Sequence, residues 1–316
     1  MNLSNSDITF ILTAYGPPGA LSYGVFFITF VLYLATVFSN LTLLLVIIRD
    51  STLHKPMYIF LFNLAINGLI GSSAVCPTIM QYLLQDVKSI SLTSCLLQTF
   101  FINVYATCAY AILTVMAYDR YVCICKPLQY HSIMTPAKVK LLLSVAYFVP
   151  VCSLAVQVYL TSRLPICKYT INKLFCVSMG VLNLACVKPA LDNMYALGLL
   201  VVFAVFPLFF VILSYIKIII VSIKASKTAQ LKTLKTCAPH LITFINFSYA
   251  SYSSIVYNNF NDSMSYELSI FMSVHIVLIP PLLHPLIYGM RTQEIKRSIA
   301  KLMWKNALAL DILGDT

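Results

Sequence analysis

The sequence predicts an all-α membrane protein, a seven-transmembrane helix bundle followed by a short amphipathic C-terminal helix. Three observations predict it. Of the 316 residues, 60% are apolar and 10% charged, against roughly 25% charged in a soluble domain. The charged residues leave seven long intervals free of Asp, Glu, Lys and Arg: 8–48, 56–85, 89–118, 141–162, 193–216, 236–261 and 268–290. The basic residues fall mostly on one side of the bundle that those intervals imply.

Each interval holds about 20 helical residues, enough to cross a hydrocarbon core of roughly 30 Å. Transmembrane β-strands are excluded, because they need about 10 residues and alternate in polarity. The first interval exceeds one span, but Gly16, Pro17, Pro18 and Gly19 break it, so the first helix is expected to begin near Leu21. The organisation read from this is an extracellular tail over 1–20, a seven-helix domain over 21–290 and a cytoplasmic helix and tail over 291–316. In the last part Ile295, Ile299, Leu302 and Met303 recur at helical spacing against a basic face. That pattern describes an interfacial helix on the inner leaflet.

Orientation follows from the bases, which concentrate in cytoplasmic loops. With the N-terminus outside, sixteen of the twenty-one Lys and Arg residues lie on the inner side, leaving Lys88, Arg163, Lys168, Lys173 and Lys188 outside. The expected location is the plasma membrane, with an extracellular N-terminus and a cytoplasmic C-terminus. The formal charge of +11 then reports topology and attraction to anionic membrane lipid, and no nucleic-acid partner is expected. Met1–Asp7 is polar and lacks the basic start of a signal peptide, so the first helix is expected to direct insertion.

Topology also sorts the cysteines. Cys95, Cys167, Cys176 and Cys186 fall on the outer side, where disulfides persist; four cysteines allow two bridges and three pairings. Cys123 and Cys125 form a C-x-C pair without nearby His or acidic partners, so no metal site is expected. No cofactor is implied, and the absence of paired acids, H-E-x-x-H or a nucleophile motif argues against an enzyme. A channel or transporter for a small solute is the alternative. It would place charged or broken-helix sites at the midplane, where the helices carry few ionisable residues beyond His275 and His284, and no internal repeat is found.

Motifs carry the function. The cytoplasmic end of the third span reads Met116-Ala117-Tyr118-Asp119-Arg120-Tyr121-Val122-Cys123-Ile124-Cys125. A carboxylate beside a guanidinium at the membrane edge can neutralise it in a resting state and release it toward a partner's carbonyls. Elsewhere stand Leu53-His54-Lys55-Pro56-Met57-Tyr58, Ser214-Tyr215, Lys232-Thr233-Leu234-Lys235-Thr236-Cys237-Ala238-Pro239-His240-Leu241 and Pro281-Leu282-Leu283-His284-Pro285-Leu286-Ile287-Tyr288. Together these resemble the signatures of odorant receptors, within the rhodopsin-like G-protein-coupled receptors. Trp304 is the single tryptophan, so the fourth- and sixth-helix tryptophans of most rhodopsin-like receptors are absent, as is usual in odorant receptors. Three positions depart from the pattern: Gly68 replaces the sodium-binding aspartate, His284 replaces an asparagine, and Ser248 replaces a common aromatic. The pair Asn67-Gly68 is similar to fish odorant receptors.

The resemblance implies a receptor that binds a small-molecule odorant in a pocket on the extracellular side and activates a heterotrimeric G protein of the stimulatory, olfactory type. Asn103, Ala106 and Thr107 share one face of the third span. Ser248, Ser251, Tyr252 and Ile255 form a stripe on the sixth, and both stripes are expected to face the ligand. Ile102 stands where amine receptors place an aspartate, so an ammonium anchor is missing. Asp119, Arg120, Tyr121, Tyr215, His240 and Tyr288 are expected to form the switch that couples to the G protein, and His275 to bond a neighbouring helix. The resemblance also pairs Cys95 with Cys176 and Cys167 with Cys186. Asn2, in an Asn-Leu-Ser sequon, is the expected glycosylation site.

Overall fold

The computed structural model describes residues 8–15, 18–187, 190–260 and 266–302. Seven long helical segments run through it. They are α1 (Ala20–Arg49), α2 (Pro56–Leu84), α3 (Leu92–Cys125), then α5 (Pro136–Ser162) after a single-turn α4 (Tyr130–Ile133). A short loop helix, α6 (Ser178–Leu182), precedes the fifth span, made of α7 (Ala190–Leu200), a π turn (Val201–Val205) and α8 (Phe206–Ile223). α9 (Lys227–Phe260) and α10 (Tyr266–Arg291) complete the bundle. Residues 293–302 are helical as well.

Local chemistry sets the boundaries. α2 and α5 start with proline, where the missing N–H costs nothing, and Thr135 and Ser91 cap α5 and α3 by accepting from the amides of Lys138 and Ser94. The π turn sits just before Pro207, which cannot donate to the preceding turn, so the helix widens there.

Prolines also explain two of the contacts that join helices. Pro285 and Pro280 lack the N–H groups that would bond the carbonyls four residues earlier, Pro281 and Ile276. Asn40 donates its amide to the Pro281 carbonyl at 2.9 Å, and Tyr105 donates its hydroxyl to the Ile276 carbonyl at 3.2 Å. Buried backbone acceptors are thereby satisfied across helices, as a membrane requires. Tyr105 can reach α10 only because Gly71 has no side chain: a Cβ there would meet its ring at 2.3 Å. Gly68 is pressed just as directly, with its missing Cβ 3.1 Å from Pro281. The place of the family's sodium-binding carboxylate is thus taken by packing.

α3 is the central element, packed against α2, α5, α8 and α9. Two apolar cores stack along it. The core at the end that the Lys and Arg bias assigns to the cytoplasm gathers Leu64, Leu113, Met116, Phe247 and Tyr288; the other, called the outer core on the same ground, gathers Phe10, Leu12, Cys95, Phe175, Cys176 and Ile276. Six of the helical segments are apolar enough, over their described residues, to cross a membrane by length and composition. The seventh, α9, has the length but not the composition, because lysines at its start and His240, Asn246 and its Ser, Thr and Tyr residues lower its hydropathy.

A three-stranded sheet covers the outer end. β1 (Thr9–Leu12) lies between β2 (Ser89–Ser91), antiparallel, and β3 (Thr170–Ile171), parallel. Phe10 and Leu12 point into the outer core while Thr9 and Ile11 are exposed. The segment read as a plain tail from sequence therefore contains a strand, too short for its alternation to be distinctive.

Candidate functional site: an outer pocket and a cytoplasmic switch

Beneath the sheet a cavity of about 470 Å³ opens between α3, α5, α7 and α9, within the range that holds small organic ligands. Asn103, Ala106, Thr107, Ser251 and Ile255 line it, as does Ile102. Asn103 donates to the Ser178 hydroxyl at 2.8 Å, and Thr107 bonds back to the Asn103 carbonyl at 2.8 Å. The Cys95–Cys176 disulfide ties α3 to the loop above, and Gln98 accepts from the Cys176 amide at 3.0 Å. The second disulfide, Cys167–Cys186, closes that loop on itself.

Two residues of the expected stripe stand off this lining. Ser248 is buried one turn below Ser251, facing the Tyr110 hydroxyl, and the Tyr252 ring lies 6.5 Å from that of Tyr110. Conversely, the cavity uses residues that sequence reasoning passed over. Tyr110 belongs to the same face of α3 as Asn103 and Thr107 at i+7 and i+3, a spacing that could have revealed it. Leu200, Phe203 and Ala204 form the wall from the fifth span. In sequence they are indistinguishable from lipid-facing residues. His275 stacks on Phe271 and meets Tyr249 edge-on, at 5.5 and 5.8 Å, so ring packing occupies it where a hydrogen bond to a neighbouring helix was expected.

Tyr110 connects the cavity with the interior. Its ring packs edge-on against Phe247 at 4.9 Å and Phe244 at 6.3 Å, both on α9. A turn farther in, His240 joins three helices. Its Nε2 lies 2.9 Å from the Leu113 carbonyl and its Nδ1 2.6 Å from the Tyr215 hydroxyl. A carbonyl only accepts, so Nε2 carries a proton, while the Tyr215 hydroxyl beside Nδ1 also lies 3.4 Å from the Cys237 carbonyl. The imidazole bolts α9 to α3 and α8.

At the cytoplasmic end Arg120 is paired with Asp119, its Nε donating to Oδ2 at 3.0 Å. The fully buried carboxylate also accepts from Tyr130 at 2.8 Å. Burial, and then the nearby Asp119 charge, push the Tyr130 phenol well above its ordinary range, so it remains a donor at physiological pH. Tyr121 is half-buried beside this pair, whereas Tyr288 is buried with its hydroxyl facing Thr243 of α9. Lys224, Lys227, Lys232 and Lys235 are exposed at the inner ends of α8 and α9.

The helix over 293–302 is fastened to the first inner loop. Ser298 donates to Asp50 at 2.6 Å and Tyr58 to Glu294 at 2.6 Å, with Lys55 3.9 Å from Glu294. The Ser298 hydroxyl, and secondarily Thr52, hold the Asp50 carboxyl down at about 2. Ile295 is fully buried against the cytoplasmic core, with Ile299 and Leu302 beside it. The apolar face expected to meet lipid is thus turned to the protein. Met303, Trp304, Asn2 and Lys188 lie outside the described residues.

The sequence model described as olfactory receptor matches residues 29–306. Olfactory receptor 9S13 of Mus musculus is 34% identical over 307 residues, covering 96% of this chain and 92% of the relative. Olfactory receptor 5B17 of Homo sapiens is 33% identical, with 98% of each chain covered. Olfactory receptor 1E16 of Mus musculus is 30% identical over 89% of this chain and 90% of its own. The chain belongs to the olfactory receptor family: it is a multi-pass plasma-membrane receptor for odorants, coupled to a G protein and not an enzyme.

Proposed function

We propose that the odorant occupies the cavity between α3, α5, α7 and α9 and that its occupancy activates a stimulatory G protein of the olfactory type. One observation carries this reading: Tyr110 belongs at once to the cavity wall and to the aromatic contact with Phe244 and Phe247 of α9. A ligand shifts a two-state equilibrium only through its differential affinity for the two states. A molecule that bears on Tyr110 bears on the α3–α9 contact, and so has such a difference. The state it favours is one in which α9 swings outward, His240 leaves the Leu113 carbonyl and Tyr215, and Arg120 leaves Asp119. Tyr215 and Tyr288 then approach Arg120, and the opened groove accepts the C-terminal helix of the G protein α-subunit between lysines 224, 227, 232 and 235.

The same reading places residues 1–20 outside the cell, with Asn2 glycosylated, 21–290 in the membrane and 291–316 inside, against anionic lipid. The bias of Lys and Arg toward one set of loops supports it. The test is expression with the olfactory stimulatory α-subunit, and then with an inhibitory one, against a panel of volatile and water-soluble compounds. A ligand-evoked rise in cAMP only with the former is expected. A current carried by the purified protein in a bilayer, without cAMP, would sink the assignment.

A further inference from the structure

Within 293–302 the only hydroxyl is that of Ser298. It is 7% exposed and donates to the Asp50 carboxylate at 2.6 Å, with the Glu294 carbonyl one turn back at 3.0 Å. Asp50 is committed on its other oxygen as well, which accepts from the Thr52 amide at 3.1 Å and the Thr52 hydroxyl at 2.8 Å. Apart from this latch, the helix is fastened by the Tyr58–Glu294 bond and the burial of Ile295. The chain around the serine reads Glu294-Ile295-Lys296-Arg297-Ser298-Ile299-Ala300-Lys301, with Lys296, Arg297 and Lys301 exposed. Two cations precede the hydroxyl, an apolar residue follows it directly, and a third cation stands three positions on. Protein kinases that select their acceptors by basic residues on both sides read such a pattern.

We propose that Ser298 is a phosphorylation site for a kinase of this basic-directed class, and that its phosphate undocks the helix over 293–302. The proposal rests on the reading that places 291–316 inside the cell, where ATP is available. In the transfer, the Ser298 Oγ bonds to the γ-phosphorus of ATP while the bond from that phosphorus to the β–γ bridging oxygen breaks. ADP leaves, and the hydroxyl proton passes to the kinase's base. Burial makes the event conditional: the kinase acts on the molecules in which this helix has opened locally. The product cannot redock. The proton that bonded Asp50 is gone, and up to two negative charges stand where a hydroxyl met a carboxylate. Lys301 is the cation that the structure sets against Asp50, and it cannot balance both anions. Release also withdraws Ile295 from the core that contains Tyr288, so the mark is felt at the inner end of α10.

The test uses the full chain, purified in lipid nanodiscs, with the catalytic domain of protein kinase C and magnesium ATP as the probe. Peptide mapping identifies the modified residue, and amide exchange over 293–302 reports docking. Phosphate on Ser298 is expected, lost from that peptide in Ser298→Ala, with exchange roughly tenfold or more faster in the modified protein. Ser298→Glu and Ser298→Gln separate charge from bulk. The Glu variant should exchange roughly tenfold faster than the Gln variant, and Asp50→Asn, which removes the opposing charge, should erase most of that difference. Equal exchange for the two variants, or a difference that survives Asp50→Asn, overturns the switch. Phosphate found only at other residues, or none at all, overturns the site whatever the variants do. A C-terminal epitope stained on intact cells would sink the inward orientation and the kinase site with it, whereas failure of the mapping alone leaves that orientation standing.

Discussion

The cytoplasmic half of the bundle and its outer half manage buried polar groups in opposite ways. On the inner side, Asp119 holds Arg120 and Tyr130, and His240 holds Leu113 and Tyr215; Ser298 holds Asp50 and Tyr58 holds Glu294. Toward the outer side, the buried hydroxyls of Tyr110, Ser248 and Ser251 face only one another, and that of Tyr252 is unpartnered among the described residues. One half is fastened, and the other has bonds still to make. A receptor needs both conditions, since a ligand can trade new bonds outside against fastened ones inside only if the outer ones are open.

The strongest way to break this comparison is at the fastened end. Arg120→Ala is expected to abolish G-protein activation while leaving ligand binding intact; a surface-displayed mutant with normal cAMP output would refute its role. Loss of the Cys95–Cys176 tether should be nearly as severe, because it holds the loop above the cavity to the helix bearing Asn103 and Thr107. Cys176→Ser should eliminate surface expression or response, whereas Cys167→Ser, which opens the loop's internal bridge, should reduce them less. Cell-surface staining with dose–response curves would check both.

His240→Ala probes the fastening more finely. It removes two buried hydrogen bonds, each contributing about 0.5–1.5 kcal/mol, and so should raise ligand-independent cAMP roughly tenfold. Basal signalling at or below wild type would show that the imidazole is not a restraint. Ser248→Ala is the matching change at the open end. Only its contact with the Tyr110 hydroxyl is lost there, so thermal stability in detergent should fall by no more than about 1 kcal/mol.

The smallest effect concerns the inner-surface helix. Asp50 has a carboxyl held near 2 by Ser298, below its unfolded value of about 3.9. A carboxyl lowered in the folded state stabilises above its unfolded pKa and loses that contribution as pH falls toward the folded one. Docking of 293–302 should therefore be insensitive to pH between 6 and 8 and weaken between about 4 and 2. Ser298→Ala should speed amide exchange in 293–302 at neutral pH, and unchanged exchange would remove the latch.

How far the sequence could be read depended on what kind of signal each part carried. Charge-free intervals outline spans because a bilayer penalises ions along their whole length, so all seven spans were legible from charge, α9 among them although His240, Asn246 and its hydroxyls lower its hydropathy. The Asp119-Arg120 pair was legible because adjacency in sequence already brings the two groups together. The bond from His240 to the Leu113 carbonyl, 127 positions away, was not, because nothing in a sequence marks a backbone acceptor. The fifth-span wall of the cavity escaped for a related reason: Leu200 and Phe203 would look the same facing lipid or ligand. For the outer cysteines, spacing alone left three pairings open, and the pairing that the resemblance implied is the one the structure shows.

The prolines of α10 bear on how such a chain can change over generations. Pro285 withholds a proton from the Pro281 carbonyl, and Asn40, 241 positions away, supplies one. Neither residue is optimal without the other. Replace the asparagine, and a carbonyl in the membrane interior is stranded; replace the proline, and the amide becomes redundant. Tyr105 and Pro280 stand in the same relation, and Gly71 joins them because the ring needs its space. Descendants of this sequence should inherit these residues as groups.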